Sequence, residues 1–480
     1  MLRRVRISER SLVAAFVVLS TLARIVLAHT YYGFQTGDDL EIAEEAFRRA
    51  LGLVHTPWNI RNLLIPDVLV APVVWLAHAA GVRNPLHLAE VARSPFIALS
   101  AINIVLVYLL GRRWYGGLTA IIASGLYAFH WMPLVYGSSL YVRTFAVTCI
   151  LWSAAAPATA FPRRGAANGL ASGLLAALAV TARYSESIFF GSLLIDTQSR
   201  RWKLVAGFVL GIILFVGLYD RVTWGRWFGS LLEFAELTFI ERDASSVIVS
   251  QPPWWYFTHI LHWMPATLLP FFFVATRHGE ARRALAFVAM PLLILSAIFH
   301  KELRYLQVVL PFALLLAARG FVLWYAQPHR RRLAFALLLL AVPLGLSRIG
   351  IVRTRTTNAV TAAQWIAQHR PPVVALSQPW AYGGRLFLGN TVEIIDLDIP
   401  PDLRRIRRAT FLAVYASDVN DVLRKRCVEN GLTQTKTFTG RGGRDVTVFV
   451  GRATGPPSRA PLARAGEPPA GRPASGRPHV

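Results

Sequence analysis

The residues best suited to chemistry lie between Gly37 and Asn62, where the chain reads Gly-Asp-Asp-Leu-Glu-Ile-Ala-Glu-Glu-Ala-Phe and, further on, His-Thr-Pro-Trp-Asn-Ile-Arg-Asn. This stretch follows the first long apolar run directly and holds about half of the acid in the first two hundred residues. Asp38 and Asp39 start an amphipathic segment, and an acidic residue there can cap free backbone amides. Two adjacent carboxylates exceed what one cap needs, and an aspartate beside the bilayer can also take the proton of a hydroxyl group. Asp38, Asp39, Glu41, Glu44 and Glu45 are costly to bury against a membrane span. They are therefore expected at a wet interface and form a site hypothesis by default.

A second cluster, His300-Lys301-Glu302-Leu303-Arg304-Tyr305, interrupts otherwise apolar sequence. It reads either as a solvated turn or as an anion site in which Glu302 limits the repulsion among His300, Lys301 and Arg304. Cations held at the membrane surface are what a lipid-linked phosphate requires. Arg143 and Arg183 each sit within apolar sequence, where a charge is seldom tolerated without a partner. Asp220, Trp224-Gly225 and the run Trp254-Trp255-Tyr256 place aromatic rings and acid near span entrances. Such rings form an interfacial belt, and they also make platforms for sugar faces. His55, His259 and His262 have no metal-ligand spacing and read as structural or interfacial.

These residues need a scaffold, and composition says which kind. With 480 residues, 54% of them hydrophobic, and repeated apolar runs near twenty residues long, the chain reads as a polytopic membrane protein. Apolar runs predict spans near 63–80, 90–110, 117–132, 139–159, 202–219, 254–275, 282–299, 303–325 and 331–350. A stretch at 167–197, interrupted at Arg183-Tyr184-Ser185-Glu186, crosses once or as two half-helices, so the total is 11 or 12. The first ten residues carry four arginines, and the run from Ser11 to His29 lacks a clear cleavage site, which points to a retained first helix. Asp39 to Leu53 predicts an interfacial helix with Leu40, Ala43, Phe47, Ala50 and Leu51 on one face. The segment 220–253 reads as a large polar loop.

The net charge of +25 would suggest nucleic acid in a soluble protein, but arginine gathers at helix ends and in the tail, where membrane anchoring explains it. No nucleic-acid partner is expected. The positive clusters at the N-terminus, Arg200 to Lys203, Arg277 to Arg283 and Arg330 to Arg332 mark a cytoplasmic side, which places Asp38, the 220–253 loop and the C-terminal region outside. Two cysteines, Cys149 and Cys427, argue against a disulfide or a cysteine metal site. No Walker A or dinucleotide fingerprint follows a strand. The chain thus divides into a multispanning domain over 1–350, a small extramembrane α/β domain over 351–450, and a tail over 451–480 whose prolines and arginines predict disorder.

Read in order, the series Asp38-Asp39, His55-Thr56-Pro57-Trp58 with Arg61, Ser138-Ser139 with Arg143-Thr144, Arg183, Asp220 with Trp224-Gly225, Pro253-Trp254-Trp255-Tyr256 and His300-Lys301-Glu302-Leu303-Arg304 resembles the dolichyl-phosphate-mannose-dependent mannosyltransferases of N-glycan and GPI-anchor assembly. These are multispanning members of the GT-C glycosyltransferase superfamily. The resemblance spans roughly residues 20 to 325, and its most specific element is His-Lys-Glu-x-Arg. Asp38-Asp39 replaces the family's usual Asp-Glu, and Trp58-Asn59 its Trp-Glu.

The resemblance implies an all-α, GT-C-like membrane protein with about 11–12 transmembrane helices, acting as an inverting glycosyltransferase with its site on the outer face. The Arg-rich, Ala-rich composition looks bacterial, which places it in a bacterial inner membrane and replaces dolichol by another polyprenyl phosphate as the carrier of the donor sugar, mannose by resemblance; the acceptor would be a lipid-linked glycan or other hydroxyl. Asp38 or Asp39 would be the general base, and His300, Lys301 and Arg304 would bind the donor phosphate. Trp58, Arg61, Arg143, Arg183, Asp220, Trp254, Trp255, Tyr256 and Glu302 would contact substrate. No cofactor is expected, since the lipid-phosphate sugar is a substrate; a divalent metal is not required, although paired aspartates are also a metal-ligand pattern. The competing class is a transporter or flippase with Arg143 and Arg183 lining a path, against which stand the lack of internal repeat symmetry and the two large loops on one face.

Overall fold

The computed structural model describes residues 8–30, 37–159, 165–196, 201–240, 250–352, 357–377, 383–397, 404–440 and 444–451. The tail expected to be disordered lies outside these residues, apart from Gly451.

Apolar stretches too long to be strands form helices, and their outer faces stay apolar. In α1 (Glu9–Thr30) the side chains of Val18, Leu19, Leu22, Ile25 and Val26 are exposed, a contiguous apolar face suited to lipid rather than water. Among the described residues three helices are long and apolar enough to cross a membrane singly: Glu9–Thr30, Pro85–Tyr115 and Arg201–Trp224. Two bent pairs add to these, Gly117–Ala128 with Trp131–Gly137 at 55° and Leu310–Tyr325 with Pro328–Leu346 at 116°. Ile65–Ala79, Arg143–Ala156, Asn168–Val180 and Ala266–Thr276 are shorter apolar helices. Leu310–Tyr325 is the buried centre, with every residue from Leu310 to Ala318 shielded by its neighbours. Gly165–Val180 and Arg201–Gly211 approach so closely that a Cβ on Gly173 would lie 2.2 Å from the Leu204 carbonyl oxygen, and one on Gly207 2.2 Å from that of Leu170. Small residues are what permits such a seam.

Three expectations change. The span read over 254–275 is broken into Trp255–Thr258, Ile260–Trp263 and Leu269–Thr276. Met264 precedes Pro265, whose ring forces it into an extended conformation. The segment read as a loop from 220 begins as helix, since Tyr219–Trp224 continues the preceding span until Gly225 ends it in the left-handed conformation. The helix at the acidic stretch, α2 (Gly37–Leu51), begins two residues earlier than read, and it does not hold its carboxylates in water. Asp39, Glu44 and Glu45 are buried together with Leu40, Ala43, Ala46 and Phe47.

The C-terminal region is a five-stranded sheet of order β2-β1-β3-β5-β4, from β1 (Val373–Leu376), β2 (Glu393–Asp396), β3 (Phe411–Tyr415), β4 (Leu432–Phe438) and β5 (Val446–Gly451). β1 pairs in parallel with β2 and β3, and β5 runs antiparallel to β3 and β4. Val374 and Leu376 pack with Ala359, Ala363 and Ile366 of the helix Thr357–Gln368, while Ala375 and Leu412 pack with Leu423 and Cys427 of the helix Asp421–Glu429. A sheet covered on both faces accounts for the short continuous apolar runs of β1 and β3.

Candidate active site

Four chain segments far apart in sequence deliver one cluster. The first turn of α2 carries Asp38, and the irregular segment after it carries Arg61. The interruption between Gly165–Val180 and Ile188–Asp196 supplies Arg183 in extended conformation, and the one-turn helix Leu303–Gln307 supplies Arg304. Arg61 Nη2 donates to Asp38 Oδ1 at 2.8 Å, while Arg183 Nη2 and Arg304 Nη1 both reach Oδ2 at 2.6 Å. Arg61 Nε also meets Glu41 Oε2 at 3.3 Å, and Arg304 Nε pairs with Glu302. Three guanidiniums thus face three carboxylates, and the side chains of Asp38, Arg61 and Arg183 are each only 18% exposed.

Screening is weak in such a place, so the charges act strongly on one another. Burial alone would raise the Asp38 carboxyl, but Arg183 and Arg304 outweigh it and hold the group well below the usual carboxylate range. Arg304 is held charged against the cost of its own burial by Asp38 and Glu302. Glu41 goes the other way: burial and the nearby Asp38 push it up to about 7, against the pull of Arg183. Burial also lowers His300, whose Nε2 lies 3.7 Å from Glu302 Oε1.

A second layer holds these groups in place. Arg143 is buried with its Nη1 3.1 Å from Glu186 Oε1, its Nη2 donating to Ser185 Oγ at 3.2 Å and its Nη1 to the Tyr305 carbonyl at 3.3 Å. It thereby ties the segment of Arg183 to the turn of Arg304. Asp220 is fully buried and accepts from the Ser230 amide at 2.9 Å, Ser230 Oγ at 2.6 Å and Asn62 Nδ2 at 3.2 Å. Trp224 Nε1 donates to the Arg61 carbonyl at 3.1 Å. Asp220 and Trp224 therefore fix the segment that carries Arg61.

The other expected site residues are placed as follows. Asp39 is buried, about 100° further round the helix, and the ion pairs of the three arginines go to Asp38 instead. Lys301 is 4% exposed, and its ammonium donates to the carbonyls of Gln251, at 2.9 Å, and Ile298. Trp58 is half exposed beside Arg61, whose guanidinium carbon lies 5.2 Å from its ring. Trp254 is exposed, Trp255 stacks on His259 at 4.3 Å, and Tyr256 is fully buried. Among the described residues no three His, Cys, Asp or Glu groups converge as metal ligands.

Sequence reasoning passed over Glu186, which it quoted only as part of an interruption, and Arg24, which is fully buried within α1 and donates to Ser100 Oγ at 2.8 Å and the Pro133 carbonyl at 3.2 Å. It also missed the far side of α2. There Glu44 Oε1 accepts from the backbone amides of Arg385 (3.1 Å) and Leu386 (3.4 Å), and Asn390 bridges Gly52 and Val54. Gly383, at φ +60°, lies so close to Leu40 that a Cβ would come within 2.5 Å of it. The C-terminal domain thus grips the helix that carries Asp38.

The profile of the Alg9-like mannosyltransferase family matches residues 58–370, more than half of the chain. The chain belongs to that family. The match takes in Arg61, Arg183 and Arg304 but begins after α2, so Asp38 lies outside it. Among individual relatives, mannosyltransferase APTG1 of Arabidopsis thaliana is 24% identical over 333 residues, covering 66% of this chain and 59% of the plant protein. GPI alpha-1,2-mannosyltransferase 3 of Bos taurus is 35% identical over 117 residues, 23% of this chain and 20% of the bovine one.

In three dimensions the Alg9-like chain is similar to ArnT of Cupriavidus metallidurans, solved without ligand (TM-score 0.62, 13% identity, covering 91% of this chain and 97% of that one) and bound to undecaprenyl phosphate (TM-score 0.60, 13% identity, 92% and 99%). The apo oligosaccharyltransferase of Archaeoglobus fulgidus follows at TM-score 0.53 and 11% identity, covering 84% of this chain and 69% of that one. At these identities the likeness establishes the GT-C fold. It extends beyond the family match to nearly the whole chain.

Proposed function

We propose that this Alg9-like chain is a membrane-embedded inverting glycosyltransferase. It moves a sugar, mannose by its family, from a polyprenyl-phosphate donor to a hydroxyl of a lipid-linked glycan or other acceptor on the outer face of a bacterial inner membrane. The observation that carries this reading is the convergence of Arg61, Arg183 and Arg304 on a single carboxylate. Three converging guanidiniums make a receptor for a phosphate that enters as a singly charged diester and leaves as a doubly charged monoester, and in the resting protein Asp38 occupies it. A lipid phosphate entering the site exchanges places with the Asp38 carboxylate and takes over the cations.

As the acceptor oxygen attacks the anomeric carbon and the bond to phosphate breaks, negative charge grows on the leaving oxygens. The fixed guanidiniums then stabilise the transition state more than the bound donor. A carboxylate of α2 receives the hydroxyl proton. The solved complex of the similarly folded ArnT with undecaprenyl phosphate supports a lipid phosphate as the ligand of this site. Membranes holding the protein, incubated with radiolabelled undecaprenyl-phosphate mannose and a lipid extract of the host, are expected to form a labelled product that Arg183→Ala membranes do not form. Absence of product from the wild type overturns the proposal.

A further inference from the structure

The turn that carries Arg61 also carries an open aromatic ring. Trp58 is 50% exposed, and the Arg61 guanidinium covers its ring from one side, 5.2 Å from the centre. This turn is tied down at several points. The Arg61 amide donates to the Trp58 carbonyl at 3.0 Å, the Trp58 amide to Glu41, Trp224 Nε1 to the Arg61 carbonyl at 3.1 Å, and Asn59 Nδ2 to Glu233 Oε2 at 3.1 Å. Glu233 Oε1 takes the Arg226 guanidinium at 3.2 Å. The segment that brings Arg226 is itself held in a costly conformation. Phe228 has φ at +55°, the left-handed region that bulky side chains avoid, and its ring packs so closely on Gly217 that a Cβ there would come within 2.6 Å of it.

We infer that this is the acceptor subsite and that it takes a neutral sugar: Trp58 is the platform for one face of a pyranose ring, and Glu233, Asn59 and Arg226 read its hydroxyls. The inference rests on the glycosyl transfer proposed above and narrows the acceptor to a glycan. A pyranose has an apolar face of C–H bonds and a rim of hydroxyls, each both donor and acceptor. The indole supplies the apolar contact. A carboxylate has about four lone-pair sites. Asn59 and Arg226 each take one of those on Glu233, whose side chain is 34% exposed, and the others are left to accept hydroxyls. Arg226 donates one of its N–H groups to Glu233 and has others to give. An aromatic surface with a few fixed polar groups at its edge is the usual make-up of a specific small-ligand site.

A ring in the interfacial belt of a membrane is also exposed. The neighbours of Trp58 differ from those of a belt ring, because they are polar, fixed to one another, and lead into the charged cluster. Its position fits an acceptor as well. Arg183 and Arg304 reach Oδ2 of Asp38, whereas Arg61 reaches Oδ1 from the turn of Trp58. A displacement with inversion brings the incoming hydroxyl to the face opposite the leaving group. With the phosphate on the side of Arg183 and Arg304, a sugar stacked on Trp58 presents its hydroxyl from the other.

The test uses the full chain, purified in detergent, as wild type, Trp58→Ala, Trp58→Phe and Glu233→Ala, with thermal unfolding as the check of fold. Transfer from radiolabelled undecaprenyl-phosphate mannose is measured against increasing amounts of a host lipid extract and, separately, of donor. Mild acid then releases the labelled glycan from its lipid for sizing. Trp58→Ala and Glu233→Ala are expected to need on the order of 10- to 100-fold more extract for half-maximal rate, with half-saturation by donor changed less than about threefold. Trp58→Phe keeps an aromatic face and is expected to stay within about tenfold of wild type. The released label is expected to be longer than a monosaccharide. Label released as mannose alone, or a folded Trp58→Ala or Glu233→Ala protein with wild-type dependence on extract, overturns the subsite and leaves the transfer reading standing. A Trp58→Ala protein that weakens donor saturation instead puts the ring on the donor and overturns the subsite equally. A wild type that forms no product overturns the transfer reading and the subsite with it.

Discussion

Replacing Arg304 by alanine removes the cation most tightly built into the cluster. Its Nη1 lies 2.6 Å from Asp38 Oδ2, its Nε pairs with Glu302, its guanidinium carbon lies 5.6 Å from the Tyr141 ring, and its side chain is only 14% exposed. A fixed donor aimed at developing charge in such a shielded place contributes about 2–4 kcal/mol to the transition state. At 1.36 kcal/mol per factor of ten, kcat should fall roughly 30- to 900-fold. Donor binding should weaken less, because Arg304 must leave Asp38 to meet the phosphate and the two contacts offset each other in the ground state. Arg304→Lys restores a point charge but cannot span Asp38 and Glu302 together, so it should fall between alanine and wild type. Steady-state transfer of labelled mannose under saturating donor reads kcat, and thermal unfolding in detergent checks the fold. A folded Arg304→Ala protein whose kcat stays within about threefold of wild type would refute the leaving-group role of the cluster.

Breaking the buried pair that joins the two arginine-bearing segments, by Glu186→Gln, should cost about 3–5 kcal/mol because Arg143 is left buried without its counter-charge, whereas Arg143→Met with Glu186→Leu should recover much of this; thermal unfolding of the three proteins decides. Burial pushes the Glu44 carboxyl up to about 7, even though the Leu386 and Arg385 amides pull it down. A carboxyl raised in the fold contributes stability that is complete below its unfolded value and lost as pH rises through the folded one. Glu44→Gln should therefore gain on wild type between about pH 5 and 8, by up to about 3 kcal/mol, and an unfolding midpoint difference that does not grow with pH would count against it. For orientation, a cysteine at Thr435, exposed on β4, should react with an impermeant thiol reagent in intact cells, since both native cysteines are buried; labelling only after permeabilisation would reverse the assigned sides.

Residue patterns alone made much of this protein legible. Long apolar runs can only be satisfied as helices in lipid, so the helical scaffold followed from composition. The helix after α1 was legible because Leu40, Ala43 and Phe47 recur at helical spacing, and the α/β character of the C-terminal region because its apolar runs become short there. Arg183 and Arg304 could be singled out because charge is costly beside apolar sequence, and Arg61 through the family resemblance.

What the residue order could not show is which charge answers which. Asp38 meets Arg304 across 266 positions, and Glu44 meets the Leu386 amide across 342. Local sequence therefore read α2 as a water-facing surface helix, when distant segments bury three of its five carboxylates. For the same reason the adjacent aspartates looked alike, and Glu41 looked like one more solvated acid. Asp38 and Glu41 have nearly the same intrinsic acidity; their difference arises from the guanidiniums and the desolvation that folding brings to each. Folding alone could set that difference, because electrostatic interactions depend on distance in space and on the surrounding dielectric rather than on separation along the chain.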